Sequence, residues 1–239
     1  MTVDQETASV ARATQQPATL PALLAGWAET LGDQRAFTFL GDPGYAGEPD
    51  GVSRSWSWRE LDARVSTVAT MLAGRMNPGE RVAVLASQKP EYLAGFLGAL
   101  RAGVIAVPLF TPRLPGHTGR LRAVLGDCRP ALALTTRVDQ HALTEFLGPY
   151  LGVVAVEDIP AAPSRDWPEA DPHSVAYLRY QSGSARAPAA VRVTHTDLVA
   201  NARASIEAHA VVDGRLATVD WQPLFHDLGL VLSIEGELS

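Results

Sequence analysis

The chain has 239 residues, a formal net charge of −6, 46% hydrophobic and 19% charged residues, and a single cysteine, Cys128. This is the composition of a globular protein able to bury a sizeable core, and its acidic balance argues against nucleic acid as the main partner. A lone cysteine excludes an intrachain disulfide or cysteine metal cluster, the six histidines are scattered without metal-ligand spacing, and no apolar run reaches the roughly 18–20 residues of a membrane span.

The first residues, MTVDQETASVARATQQPA, are polar and lack the apolar core of a secretory signal. They predict a cytoplasmic chain with a disordered lead-in over 1–17. Leu20, Leu23, Leu24, Trp27 and Leu31 then recur at helical spacing and predict a helix. Ala36 to Leu40 reads as a strand, 41–51 (GDPGYAGEPDG) as a long turn, and Ser55 to Trp58 as an alternating strand. A helix begins at Trp58 and runs to about Gly74. Ser57 is a suitable N-cap, Glu60 completes a capping box, and Leu61, Val65, Val68, Ala69 and Leu72 share one face.

A βαβ pattern follows: strand Arg81 to Leu85, an apolar helix rich in small residues from Pro90 to Ala102, and strand Val104 to Leu109. Leu121 to Leu125 reads as part of another helix, and Ala131 to Thr135 and Val153 to Val156 as further strands. The segment 159–174 (IPAAPSRDWPEADPHS) reads as a Pro- and acid-rich connection, not a domain linker. Strands alternating with helices in this way predict a mostly parallel sheet with helices on both faces.

Val175 to Tyr180 reads as a strand, 181–190 as a Ser/Gly/Ala/Pro loop, and Val191 to Thr194 as a second strand. Ser182, Gly183 and Ser184 put backbone amides and two hydroxyls within reach of one anion with little side-chain bulk, which is what a phosphate cradle requires. A plain hairpin connection has the same composition, and the loop alone leaves both readings open. Helix Thr196 to Ala210 and strand Ala217 to Trp221 are expected next. A doubly wound sheet ending at Ser239 has no closing element, so the sequence reads as a fragment.

The order strand, Tyr-x-Ser-Gly-Ser, proline, hydrophobic-x-His and helix resembles the adenylate-forming superfamily of acyl-CoA synthetases, nonribosomal peptide adenylation domains and fatty acyl-AMP ligases. Three further blocks in the same order are similar to that family: 55–72 (SWSWRELDARVSTVATML), 79–109 (GERVAVLASQKPEYLAGFLGALRAGVIAVPL) and 221–231 (WQPLFHDLGLV). Residues 112–136 and LFHDLGLV look most like the fatty acyl-AMP ligases. The fold implied is α/β, with layered, mostly parallel sheets flanked by helices. Residues 18–239 would be a partial AMP-binding domain, the N-terminal portion of the adenylate-forming fold, stopping before the remaining nucleotide motifs and the C-terminal lid.

The activity implied is attack of a fatty acid carboxylate on the α-phosphorus of ATP, releasing pyrophosphate and leaving an acyl-adenylate for a carrier-protein or coenzyme A thiol. Mg²⁺ would assist, its ligands lying beyond this chain. Such a step needs positioning and charge neutralisation more than covalent help. By the same resemblance, Ser182, Gly183 and Ser184 hold the β- and γ-phosphates, and Phe225-His226 borders the acyl carboxylate and the α-phosphate. Asp227 orients locally. Trp221 and Phe225 read either as acyl-tunnel lining or as core aromatic positions.

The loop departs from the family pattern at Gln181, Ala185, Arg186, Ala189 and Ala190, where threonines, glycines and a lysine are usual. Arg186 can replace part of the missing charge as a phosphate fork. Together with the missing later motifs, these departures predict a truncated chain with weak or no activity, and they support an alternative: a non-catalytic, degenerate adenylation module acting as a binding or assembly partner. An unrelated doubly wound nucleotide-binding domain is disfavoured, because Rossmann and Walker loops run straight into a helix and this one runs into a strand. Tyr177 and Tyr180 are expected to pack beneath the loop, His195 to end the strand and support the following helix, Cys128 to be buried and inert, and His117 to have no evident partner.

Overall fold

The computed structural model describes residues 19–40, 53–86, 90–113, 116–162, 165–180, 188–208 and Leu224. The expected lead-in over 1–17, the turn over 41–51, the strand Ala217 to Trp221 and the last two positions of the helix expected to reach Ala210 lie outside these residues.

Helix α1 (Leu20–Thr30) buries Leu20, Pro21 and Leu24 and is capped by Thr19, whose hydroxyl accepts from the Ala22 N–H. Strands β1 (Arg35–Phe39) and β2 (Arg54–Ser57) form a separate antiparallel pair. Helix α2 (Trp58–Ala73) starts on the expected capping box: Ser57 Oγ accepts from the Glu60 N–H at 3.2 Å, and Glu60 Oε2 accepts from the Ser57 N–H at 2.8 Å. The expected stripe of Leu61, Val65, Val68, Ala69 and Leu72 is fully buried. At about 1.5–3 kcal/mol per large apolar side chain, that stripe outweighs the cap as the reason the helix holds.

The main sheet contains β3 (Arg81–Leu85), β4 (Ile105–Leu109), β5 (Leu132–Thr135), β6 (Gly152–Ala155), β7 (Val175–Tyr180) and β8 (Ala190–Thr194), in the order β6-β5-β3-β4-β7-β8. Neighbours from β6 to β7 pair parallel, and β8 pairs antiparallel with β7. The expected parallel sheet therefore holds as far as β7, and β8 makes it mixed. The reason is chain length, since a parallel neighbour needs a crossover of roughly a dozen residues or more. The segment between β7 and β8 is shorter than that, so the strand turns back.

Both faces of the sheet are covered. Val82 and Val84 of β3 join a core with α2 and helix α3 (Pro90–Arg101), whereas Ala83 and Leu85 face helices α4 (Thr118–Cys128) and α5 (Arg137–Leu147). Every residue of α3 is buried, because the helix lies between the sheet and α2. It ends at Gly103, whose φ of +71° takes the left-handed turn, while the Val104 N–H returns to the Ala99 carbonyl.

The sequence reading names no helix at α5. Its segment is nonetheless amphipathic: Val138, Ala142, Leu143, Phe146 and Leu147 share helical spacing, Leu143 being fully buried and Phe146 and Leu147 partly buried beside it. Helix α6 (His195–Ala208) follows β8 directly. No helix among the described residues is long and apolar enough to cross a membrane.

Candidate functional site

The strand expected before the Ser/Gly/Ala/Pro loop ends at Tyr180, and the chain re-enters the sheet at Ala190 as its antiparallel partner. Ala106 of β4 lies opposite Tyr177 of β7, which puts the carboxyl end of β7 on the same sheet edge as Leu109 and Leu85. The connection leaving β4 travels to one side of the sheet and that leaving β7 to the other. This divergence at carboxyl ends is where open α/β sheets bind ligands. The loop enters strand β8, so the Rossmann and Walker reading does not apply.

Residues 181–187, including Ser182, Gly183, Ser184 and Arg186, lie outside the described residues, as do Trp221, Phe225, His226 and Asp227. What the structure does place is the frame around them. Leu224, immediately before Phe225, is buried in the same core cluster as Tyr177, Leu198 and Val199. Pro188 is half-buried, and Ala189 and Ala190 are exposed at the start of β8 with no side-chain donor to offer.

The stem of the hairpin is anchored on both faces of the sheet. Tyr177 is buried and meets Phe96 of α3 edge-on at 5.7 Å between ring centroids. A bulge between Val175 and Tyr177 shifts the register, so that Tyr177 faces α3 while Leu178 and Tyr180 face the core against α4. The Tyr180 hydroxyl donates to Asp127 Oδ2 at 2.5 Å. Burial, followed by that hydrogen bond, pushes the Tyr180 phenol well above its ordinary value, so it stays protonated as a donor. Sequence reasoning did not find this pair, because nothing in the spacing links two residues 53 positions apart.

Cys128 is buried beside it, and burial pushes its thiol up to about 11. Arg81 donates to the Cys128 carbonyl at 2.8 Å and the Arg129 carbonyl at 3.1 Å, which caps the C-terminus of α4. His117 does have a neighbour, contrary to expectation: its ring meets Phe110 at 5.5 Å, a contact across the β4–α4 connection.

Downstream of β8, Thr194 and Asp197 form a reciprocal cap. Asp197 Oδ2 accepts from the Thr194 N–H at 3.0 Å and from its hydroxyl at 2.7 Å, and Thr194 Oγ1 accepts from the Asp197 N–H at 3.1 Å. The backbone hydrogen bond from Thr194, then the side-chain one, hold the Asp197 carboxyl below its usual range. The His195 and Thr196 N–H groups are taken up by the Ser174 and Pro172 carbonyls, which fastens the start of α6 to the turn before β7. His195 is buried there, its Nδ1 without a partner among the described residues, and burial lowers its pKa. It begins the helix and donates its backbone N–H to Ser174, which fits the expected structural part, while Thr194 and Asp197 do the capping.

The family model described as "AMP-binding enzyme" matches residues 24–238. The chain is 41% identical over 212 residues to the long-chain-fatty-acid–AMP ligase FadD32 of Mycobacterium marinum, covering 86% of this chain and 33% of that protein. It is 38% identical over 225 residues to the long-chain-fatty-acid–AMP ligase FadD26 of Mycobacterium tuberculosis, covering 90% of this chain and 38% of the other. The fold matches the crystal structure of the fatty acyl-adenylate ligase from L. pneumophila in complex with acyl adenylate and pyrophosphate. That match has a TM-score of 0.80 and 24% identity, covering 93% of this chain and 38% of that one. The chain thus spans about a third of the length of the curated relatives it matches, corresponding to their N-terminal part.

Proposed function

Because the chain belongs to the AMP-binding enzyme family, we propose that it serves the activation of a fatty acid by ATP, in the manner of the fatty-acid–AMP ligases it resembles. The observation that carries this reading is the β7–β8 hairpin at the carboxyl edge of the sheet, with Ser182, Gly183 and Ser184 in its connection. In this reading residues 18–239 are part of an adenylation domain. Backbone amides and hydroxyls of Ser182, Gly183 and Ser184 hold the β- and γ-phosphates, and Arg186 adds the positive charge that a lysine supplies elsewhere. Phe225 and His226 border the carboxylate and the α-phosphate. Mg²⁺ accompanies the nucleotide, and the acyl group passes from the adenylate to a carrier-protein or coenzyme A thiol.

The chain's own residues do the positioning. The Tyr177 and Tyr180 contacts hold the hairpin stem to both layers of helices, and a fixed stem lets the loop meet phosphate with little reorganisation. Calorimetry with ATP and Mg²⁺ is expected to give saturable binding, and pyrophosphate release is expected to be weak and to depend on a straight-chain fatty acid. Absence of both overturns the reading.

A second reading is favoured by one observation: Ala189 and Ala190 stand exposed where the family commonly has lysine and glycine. With Ala185 also lacking a hydroxyl, the loop is short of donors, and a module of this kind can persist as a binding or assembly partner. A chain that folds and binds no nucleotide satisfies this second reading.

A further inference from the structure

The Tyr180–Asp127 contact has no part in the sequence motif, yet it sits at the root of the loop. Tyr180 is the last residue of β7 and the closing partner of Ala190. Its ring lies in the core against α4 and its hydroxyl reaches Asp127 Oδ2 at 2.5 Å. The α4 end is itself held, by Arg81 on the Cys128 and Arg129 carbonyls. A rigid chain of contacts therefore runs from the first residue of β3, through the last turn of α4, to the last residue before the loop.

We propose that Asp127 is a positioning residue: through Tyr180 it fixes the hairpin stem from which residues 181–187 run, and so sets nucleotide affinity without touching the nucleotide. The second half of this inference rests on the function proposed above.

The energetics separate positioning from general stability. Asp127 is exposed, so when Tyr180 loses its hydroxyl the carboxylate turns to water and no buried charge is stranded. The phenol ring of Tyr180 keeps its packing in Tyr180→Phe. Loss of the contact should therefore lower global stability only by the net worth of that one hydrogen bond and loosen the stem. Because the Asp127 carboxylate is exposed and screened, this hydrogen bond has the net worth of an ordinary one, which corresponds to about a three- to ten-fold effect on an equilibrium that depends on it.

The experiment compares Asp127→Ala, Asp127→Asn, Tyr180→Phe and the double variant Asp127→Ala/Tyr180→Phe with the unaltered chain. Two quantities are read on each, the Kd for ATP with Mg²⁺ and amide hydrogen exchange at Tyr180 and Ala190, with thermal denaturation as the control. The expected result is a Kd raised about three- to ten-fold in Asp127→Ala and in Tyr180→Phe, no further rise in the double variant, and partial rescue in Asp127→Asn, which keeps an acceptor. Amide exchange in the stem is expected to quicken in the same order, with the melting temperature lowered by no more than about 5 °C.

Stem exchange unaltered in Asp127→Ala and Tyr180→Phe overturns the positioning role. A fall in melting temperature that alone accounts for the lost affinity overturns it too. If the unaltered chain binds no ATP, the proposed function fails and the link to affinity fails with it, while the exchange measurement still decides whether Asp127 holds the stem.

Discussion

Arg101 and Asp62 make an ion pair of 2.6 Å that closes the packing of α3 on α2. Arg101 also donates to Ser66 Oγ at 2.7 Å and to the Asp62 carbonyl at 3.2 Å, and it reaches the Pro21 carbonyl of α1 at 3.4 Å. One guanidinium thus joins three helices at the end of the most buried helix in the described fold. Its side chain is 4% exposed and that of Asp62 28%, so the cation is the member that loses its water.

Removing the carboxylate strands that cation. Asp62→Ala is expected to destabilise the chain by about 2–3 kcal/mol, below the cost of breaking a fully buried pair because Asp62 keeps some solvent and Arg101 keeps other acceptors. Asp62→Asn, which retains an acceptor oxygen, is expected to cost less. Urea denaturation checks both. Equal midpoints for Asp62→Ala and the unaltered chain would show that the pair contributes nothing.

Two glycines of α3 should respond oppositely to the same change. A Cβ at Gly98 would lie 2.7 Å from Val68 Cβ and Cγ1 and 3.2 Å from the Val65 carbonyl, so α2 and α3 can approach only because no side chain is there. Val68 is stiff at χ1 and cannot step aside. Gly98→Ala is expected to destabilise by about 1–3 kcal/mol despite the better helix propensity of alanine. At Gly95 the nearest atom would be Leu134 Cδ1 at 3.5 Å, an ordinary contact. Gly95→Ala is expected to be neutral or to stabilise by up to about 1 kcal/mol. Thermal denaturation of the two variants side by side decides it, and the same sign for both would refute the argument.

The contrast between these positions and the rest of α3 explains how far the sequence could be read. Buried stripes such as Leu61, Val65, Val68 and Leu72, and local devices such as the Ser57–Glu60 box, are written in short-range spacing, and the structure bears them out. Helix α5 is legible in principle, since Val138, Ala142, Leu143, Phe146 and Leu147 recur at helical spacing, and the sequence reading passes it over. The antiparallel turn of β8 depends on loop length against crossover length, which strand patterns do not report. The Tyr180–Asp127 contact was out of reach for the same reason as the Arg101 cluster: both join residues far apart in the chain through tertiary packing. At the loop itself, its setting between two β-strands was legible from the pattern on either side, while the stem's anchorage came only from the fold.

Cys128 is 4% exposed, and burial pushes its thiol up to about 11. The nucleophile is the thiolate, so a buried thiol with a raised pKa is slow to react at neutral pH. A colorimetric disulfide reagent at pH 8 is expected to label the folded chain over hours and the urea-unfolded chain within seconds to minutes. Full labelling of the folded chain at the unfolded rate would contradict the burial of Cys128 at the C-terminal end of α4.

His195 gives the fold a pH dependence with a definite sign. Burial holds its pKa below the ordinary 6.5, the nearby Asp171 carboxylate opposing this in part. The unfolded chain therefore binds a proton at this site more readily than the folded one. The stabilisation from keeping His195 neutral is fully present above about pH 6.5, and it is lost as the pH falls from there toward the lowered folded value. In that window the slope is at most about 1.4 kcal/mol per pH unit for one proton. His195→Gln is expected to remove this component, flattening stability against pH below 6.5 relative to the unaltered chain. Asp171→Asn keeps the acceptor for the His173 N–H and takes away the opposing charge, so it is expected to widen the window toward lower pH. Denaturation midpoints measured across pH on the three chains test the prediction, and parallel profiles for His195→Gln and the unaltered chain would exclude His195 as the titrating group.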